Sequence, residues 1–94
     1  MVDTERFDWD AANIEHAALH GVEPDEAEEA LLDPGRYYIG DRTVSGERRR
    51  VFLGQTTDGR AIVVVYTRRG RLIRVVTARD ATPGEVRNWQ RQRR

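Results

Sequence analysis

The spacing of apolar residues changes once along the chain, and the change divides it into a helical opening and a strand-rich remainder. Over roughly residues 11 to 20, Ile14, Ala17 and Ala18 recur at helical intervals and form an apolar stripe. Asp10 is placed to cap the first turn and Gly21 to stop the last. A second helix opens at Pro24, whose fixed φ suits a first turn, and Asp25, Glu26, Glu28 and Glu29 follow near the positive end of its dipole. Ala27, Ala30 and Leu31 supply its buried side, and Asp33-Pro34-Gly35 ends it.

From residue 36 the period shortens. "RYYIG" predicts a short strand, and "ERRRVFLGQT" a second, with Val51 and Leu53 on one face and Phe52 on the other. In "TTDGR", Asp58-Gly59 supplies the positive φ of a tight hairpin. "AIVVVYT" is apolar on both faces, which predicts a central strand. "RRGR" turns the chain back into "LIRVVTARD", where strict alternation puts Arg74 with Leu72 and Val76, and Arg79 with Ile73, Val75 and Thr77. Thr82, Pro83 and Glu85 form a capping box with proline at its first helical position, opening a last helix in which Val86 and Trp89 pack back; the tail "RQRR" is expected to fray.

The predicted order is two helices, a meander of three or four antiparallel strands, and a C-terminal helix. This is an α+β fold, read as a single domain over residues 1–94 without repeat or linker. The helices are expected on one face of the sheet, leaving the other to carry arginines. So short a chain encloses little volume, so any chemistry belongs on an open face.

Composition narrows the chemistry. There is no cysteine, which removes disulfides, thiolate metal sites and thiol nucleophiles. No apolar run approaches the roughly 18 residues of a membrane span, and "MVDTERFDWD" lacks the basic and apolar regions of a signal peptide. The expected location is cytoplasmic. The formal charge is zero, but the charges are segregated: residues 1–35 hold eleven acids and one arginine, whereas residues 36–94 hold fifteen arginines and five acids, a net of +10. All sixteen basic residues are arginine, whose planar guanidinium pairs bidentately with phosphate, so the second part suits a polyanion or an acidic protein partner. An arginine-biased proteome would give the same replacement of surface lysines.

Two constellations stand out. His16 and His20 lie one helical turn apart, the spacing of a zinc pair, but "HAALH" lacks the adjacent glutamate of the zincin helix, and Glu15 points about 100 degrees away from His16. No metal and no cofactor are expected. His20 suits the negative end of the helix, where its ring can bond free carbonyls; His16 stays open. The second constellation is Glu47, Arg49, Arg50, Tyr66, Arg74 and Arg79, from neighbouring strands or strand ends. Metal-independent RNA cleavage needs a base near the 2′-OH, cationic donors for the phosphorane oxygens and an acid for the leaving oxygen, and these residue types supply such parts. A solvated strand face with cross-strand charge pairs would look the same.

"FDWDAANIEHAALHGVEPDEAEEAL" and "ERRRVFLGQTTDGRAIVVVYTRRGRLIRVVTARDATPGE" together resemble, in order and over nearly the whole chain, the BrnT-type toxin family, also called DUF497. The matching positions are Trp9, Asp10, Asn13, His20, Gly21, Glu47, Arg49, Gly54, Tyr66, Thr67, Arg74, Ala78 and Arg79. Departures are a shorter Trp-to-His spacing, the absence of lysine, Asp80 where the family often has lysine, and Trp89 where it often has tyrosine. The resemblance implies a RelE-like fold and the toxin of a type II toxin-antitoxin module: an endoribonuclease that inhibits translation and is covered by a ribbon-helix-helix antitoxin. Together with the +10 half, this pattern leads to the expectation that Arg49, Arg74 and Arg79 stabilise the scissile phosphate, that Glu47 or His16 is the base, that Tyr66 positions the substrate, and that Arg48, Arg50, Arg68 and Arg69 bind RNA. The alternative is a non-catalytic module of the same fold that uses its arginine face for a protein or nucleic-acid partner.

Overall fold

The structure, a computed structural model, describes residues 6–93; the polar lead at residues 1–5 and Arg94 of the tail lie outside the described residues. The elements are α1 (Ala11–Ala18), α2 (Pro24–Leu32), β1 (Tyr37–Val44), β2 (Glu47–Gln55), β3 (Ala61–Arg69), β4 (Leu72–Asp80) and α3 (Pro83–Gln92). The strands form one antiparallel sheet in the order β1-β2-β3-β4. The expected α+β order is observed, with four strands in the meander. β1 is longer than predicted, because it runs on to a tight turn at Ser45-Gly46, both with positive φ (51° and 80°).

Asp10 caps α1 as expected, its carboxylate accepting from the Ala12 and Asn13 amides at 3.0 and 3.2 Å. At the other end the Val22 N–H reaches Ala17 O at 3.1 Å, and the Gly21 N–H reaches Ala18 O at 2.9 Å, with Gly21 at φ 71°. These bonds form a Schellman motif, which ends the helix at Ala18 rather than residue 20. His20 therefore lies past the helix, and backbone amides take the carbonyls its ring was expected to bond. The buried face of α1 also differs from the expected stripe: Asn13 and Ala17 are buried, while Ile14 is 38% exposed.

The main correction concerns layers. The helices pack on both faces of the sheet. Ala17 of α1 and Ala27, Ala30 and Leu31 of α2 share a core with Ile62, Val64, Tyr66, Val75 and Ala78. Trp89 of α3 packs on the opposite face against Val51, Leu53, Val63 and Val65. This is why β3 is apolar on both sides: its alternate residues feed two cores. Trp89 is anchored by its indole N–H to Gly35 O at 3.0 Å, and the Arg93 guanidinium lies 5.0 Å from its ring, so α3 continues to Gln92 where fraying was expected.

A second correction follows from a bulge. Val65 pairs with Thr77 but Tyr66 pairs with Val75, so Val76 is an extra residue on β4. The insertion resets the alternation. Ile73, Val75 and Ala78 face α1 and α2, whereas Arg74 pairs with Thr67 and Arg79 with Val63, which puts both arginines on the α3 face. The first of these cores holds α2 very close to the sheet: a Cβ on Gly54 would lie 2.0 Å from Ala30 O.

Candidate functional site

α3 covers only the part of its face near Val51, Leu53 and Val63, so the ends of β2, β3 and β4 beyond it are open. There a hollow of about 170 Å³ lies between α1 and the sheet, lined by Asn13, His16, Glu47, Arg49, Arg69 and Arg74 among others. Alternation along β2 places Glu47 and Arg49 on the face of Val51 and Leu53. Thr67 is buried at its floor, with its hydroxyl donating to Arg48 O at 3.0 Å. α1 presents His16 across the β4 edge.

The rim is held by ion pairs. Glu47 accepts from Arg49 Nε at 3.0 Å and lies 3.9 Å from Arg69 Nη2. Arg74, largely buried, spans Asp10 at 3.1 Å and Asp8 at 3.5 Å. That contact, the hydrogen bond from Arg74 above all, holds the Asp10 carboxyl below the usual carboxylate range, and the same bond raises Arg74 further above its ordinary value. Arg74 thus carries the α1 cap and the hollow at once. His16 is exposed, and its ring lies 6.4 Å from that of His20, centroid to centroid. Among the described residues no three His, Cys, Asp or Glu side chains gather in the way a metal ion needs.

Asn13 is the residue the sequence reading assigned no role. Its side-chain amide donates to Asp8 O at 2.9 Å and to Val75 O at 3.0 Å, while its oxygen accepts from the Asp10 amide at 2.7 Å. It clamps the start of α1 to the bulge in β4 and so sets where His16 stands. Its place among the family's matching positions was the available sign, since the expected apolar stripe left position 13 out.

The structure divides the predicted site residues among three places. His16, Glu47, Arg49, Arg69 and Arg74 come together. Tyr66, Arg50 and Arg68 lie on the opposite face, where Tyr66 is only 7% exposed and stacks on Phe52 at 6.0 Å between centroids. Arg48, exposed, is paired there with Asp41 at 2.6 Å. The carboxyl of Asp41 is held below its usual range first by the Tyr38 hydroxyl and then by Arg48. Arg79 shares the face of the hollow but sits five residues along β4 from Arg74, on the order of 15 Å away, bonded to Glu85 of α3. The single arginine face expected from the sequence is therefore two faces, since alternation sends neighbouring arginines to opposite sides.

Several of the recurring motif residues are accounted for by folding alone. Trp9 donates to Glu28 at 2.8 Å, and Ala78 is fully buried between helix and sheet. Asp80, where lysine was the commoner residue, is met by Arg60 at 2.7 Å; Arg60 also bonds Glu26 at 3.1 Å and Gly21 O at 2.9 Å, tying α1, α2 and β4 together. Among the described residues no helix is long and apolar enough to cross a membrane.

A family model described as "Ribonuclease toxin, BrnT, of type II toxin-antitoxin system" matches residues 9–85. No curated protein matches the chain.

Proposed function

Because the chain belongs to the BrnT family of ribonuclease toxins of type II toxin-antitoxin systems, we propose that it is an endoribonuclease that cuts RNA without a metal ion in the hollow between α1 and the sheet. The observation that carries this reading is the convergence of His16 with Glu47, Arg49, Arg69 and Arg74 in one open hollow.

The chemistry follows from the parts. The 2′-oxygen of a bound ribose attacks the adjacent phosphorus and gives up its proton; the P–O5′ bond breaks, leaving a 2′,3′-cyclic phosphate and a 5′-hydroxyl. Arg49, Arg69 and Arg74 offer N–H donors to the phosphorane oxygens, whose charge grows in the transition state. Glu47 already engages two guanidiniums, which suits it to hold them in place. His16 is exposed, and an imidazole is suited to carry a proton both ways near neutral pH, so His16 is the proton-transfer group in this reading. Arg79 acts by positioning α3, and Tyr66 by supporting β3 from the other face.

Cellular consequences belong to the same proposal: in the cytoplasm the toxin cuts RNA so that translation stops, and a ribbon-helix-helix antitoxin covers the hollow. Product analysis tests the central step. Incubation with single-stranded RNA in the presence of a chelator should yield 2′,3′-cyclic phosphate ends, and wild-type protein that leaves every RNA intact would sink the reading. The non-catalytic alternative draws on the fact that Glu47, Arg74 and Arg79 are each paired within the fold. It predicts RNA or antitoxin binding with no cyclic phosphate.

A further inference from the structure

On the face opposite the hollow just described, a larger one of about 610 Å³ opens beyond α2, with Arg6, Arg36, Arg50, Arg68 and Arg71 around its rim. Its floor is apolar: Phe52 stacks on Tyr66, and the Arg36 guanidinium lies 5.7 Å from the Phe52 ring. Arg36, Arg50, Arg68 and Arg71 are exposed. The arginine ion pairs among the described residues involve Arg48, Arg49, Arg60, Arg69, Arg74 and Arg79; these four make none there, and the nearest carboxylate to Arg50 in the strand register, Asp41, is taken by Arg48. Like charges gathered over a floor of low polarity repel one another in the free protein, and a bound anion reverses that cost.

The two hollows are joined by the β3–β4 turn. In the run Arg68-Arg69-Gly70-Arg71, Arg68 and Arg71 line the second hollow, while Arg69 lines the first and approaches Glu47. Consecutive guanidiniums therefore lead from one face to the other around the end of the sheet. A ligand that matches this arrangement carries charge at regular intervals and bends sharply, as a single nucleic-acid strand does. An acidic helix seated in either hollow would leave the other unfilled.

We propose that the RNA strand leaves the cleavage hollow around the β3–β4 turn and lies in this second hollow, where Arg36, Arg50, Arg68 and Arg71 bind the phosphates flanking the scissile one. The identity of the ligand as RNA rests on the function proposed above; the path around the turn rests on the arginines themselves. In this path Tyr66 and Phe52 form a floor beneath the phosphates, and Arg48, paired with Asp41, lines an adjoining hollow with Arg50 and Arg68.

The test uses 2′-O-methyl RNA, which cannot be cut, as a dinucleotide and as an oligonucleotide extended from it on both sides. Affinity is measured against salt for wild type, for Arg50→Gln/Arg68→Gln, and for Arg87→Gln on the exposed side of α3. Each lost phosphate contact on a single strand flattens the slope of log affinity against log salt by about 0.7, so the double variant should flatten the slope for the long RNA by about 1.4. Its advantage of long over short RNA should shrink, and Arg87→Gln should match wild type. An unchanged slope in the double variant, with melting confirming that it folds, overturns the path. So does loss of binding to polyglutamate with RNA binding intact, which would assign the hollow to an acidic protein. If no RNA is cleaved by wild type while the slope changes as expected, the path stands and the cleavage reading falls.

Discussion

Arg79 and Glu85 meet fork to fork, Nη1 to Oε1 at 2.8 Å and Nη2 to Oε2 at 2.9 Å, and so fasten the last strand to the first turn of the last helix. Glu85 also accepts from the Thr82 amide at 2.8 Å, completing the capping box. The hydrogen bonds from Arg79, helped by Thr82 and opposed by burial, hold the Glu85 carboxyl down to about 2 from an ordinary 4.5.

The sign of the resulting pH dependence is fixed by that direction. A carboxyl whose value is lower folded than unfolded adds stability that is fully present above about pH 4.5 and lost as pH falls towards 2. Asp10, Glu26, Asp41 and Asp80 are lowered as well, so acid weakens the fold at several ties together. Arg79→Ala should lose about 1 kcal/mol at pH 7, as for a partly exposed bidentate pair, and should show a shallower fall in urea midpoint between pH 5 and pH 2 than wild type, by the linkage just stated. An equal slope in both proteins would remove the pair from the account of acid stability.

Gly54 exists for closeness. A methyl group there would sit 2.0 Å from Ala30 O and 2.8 Å from its carbonyl carbon, both backbone atoms of α2 that no rotamer change can move. Gly54→Ala should cost about 3 kcal/mol or more, the upper part of the range for overpacking. Gly40→Ala, with open space around the new Cβ, should stay within about 0.5 kcal/mol. Denaturant midpoints for the two variants check the contrast.

Asn13→Ala leaves Val75 O, Asp8 O and the Asp10 amide without their partner, and Val75 lies in the core. The expected loss is about 2 to 3 kcal/mol, most of it from the unsatisfied buried carbonyl. Asn13→Asp should be no better, because a carboxylate accepts only and would face two carbonyl oxygens. Hydrogen exchange should show α1 opening more readily in both variants, while β2 and β3 remain protected.

These ties show what could be seen in the sequence. The helix ends marked by Asp10, Gly21, Pro24 and Thr82 were legible because such signals are local chemistry between residues at most five apart. β3 was legible because seven consecutive residues of strand composition leave no other reading. The layer of α3 was not, since nothing local says which face Trp89 will choose. The bulge at Val76 was not either, and without it strict alternation separates Arg74 from Arg79. The arginines were visible as a charge excess, and alternation at Arg48, Arg49 and Arg50 already implied two faces; the hollows on those faces were not visible, because they depend on where α1, α2 and α3 dock. Asn13 was readable as a family position and unreadable as a clamp, because its partner is 62 residues away.

His16 supplies the most direct test of the chemistry. It is exposed on α1, so His16→Ala should leave stability within about 0.5 kcal/mol of wild type. Loss of a proton-transfer group should slow RNA cleavage by about 10²- to 10⁴-fold and remove one ionisation from the pH–rate profile. Arg49→Ala should slow it as well, through lost stabilisation of the phosphorane, with that ionisation kept. Glu47→Gln separates the two candidates for the base. It releases Arg49 and Arg69 from their shared carboxylate, so a modest rate loss with an intact profile fits a positioning role. Cleavage abolished in Glu47→Gln but retained in His16→Ala would transfer the base to the carboxylate, with His16 reduced to a bystander on the rim.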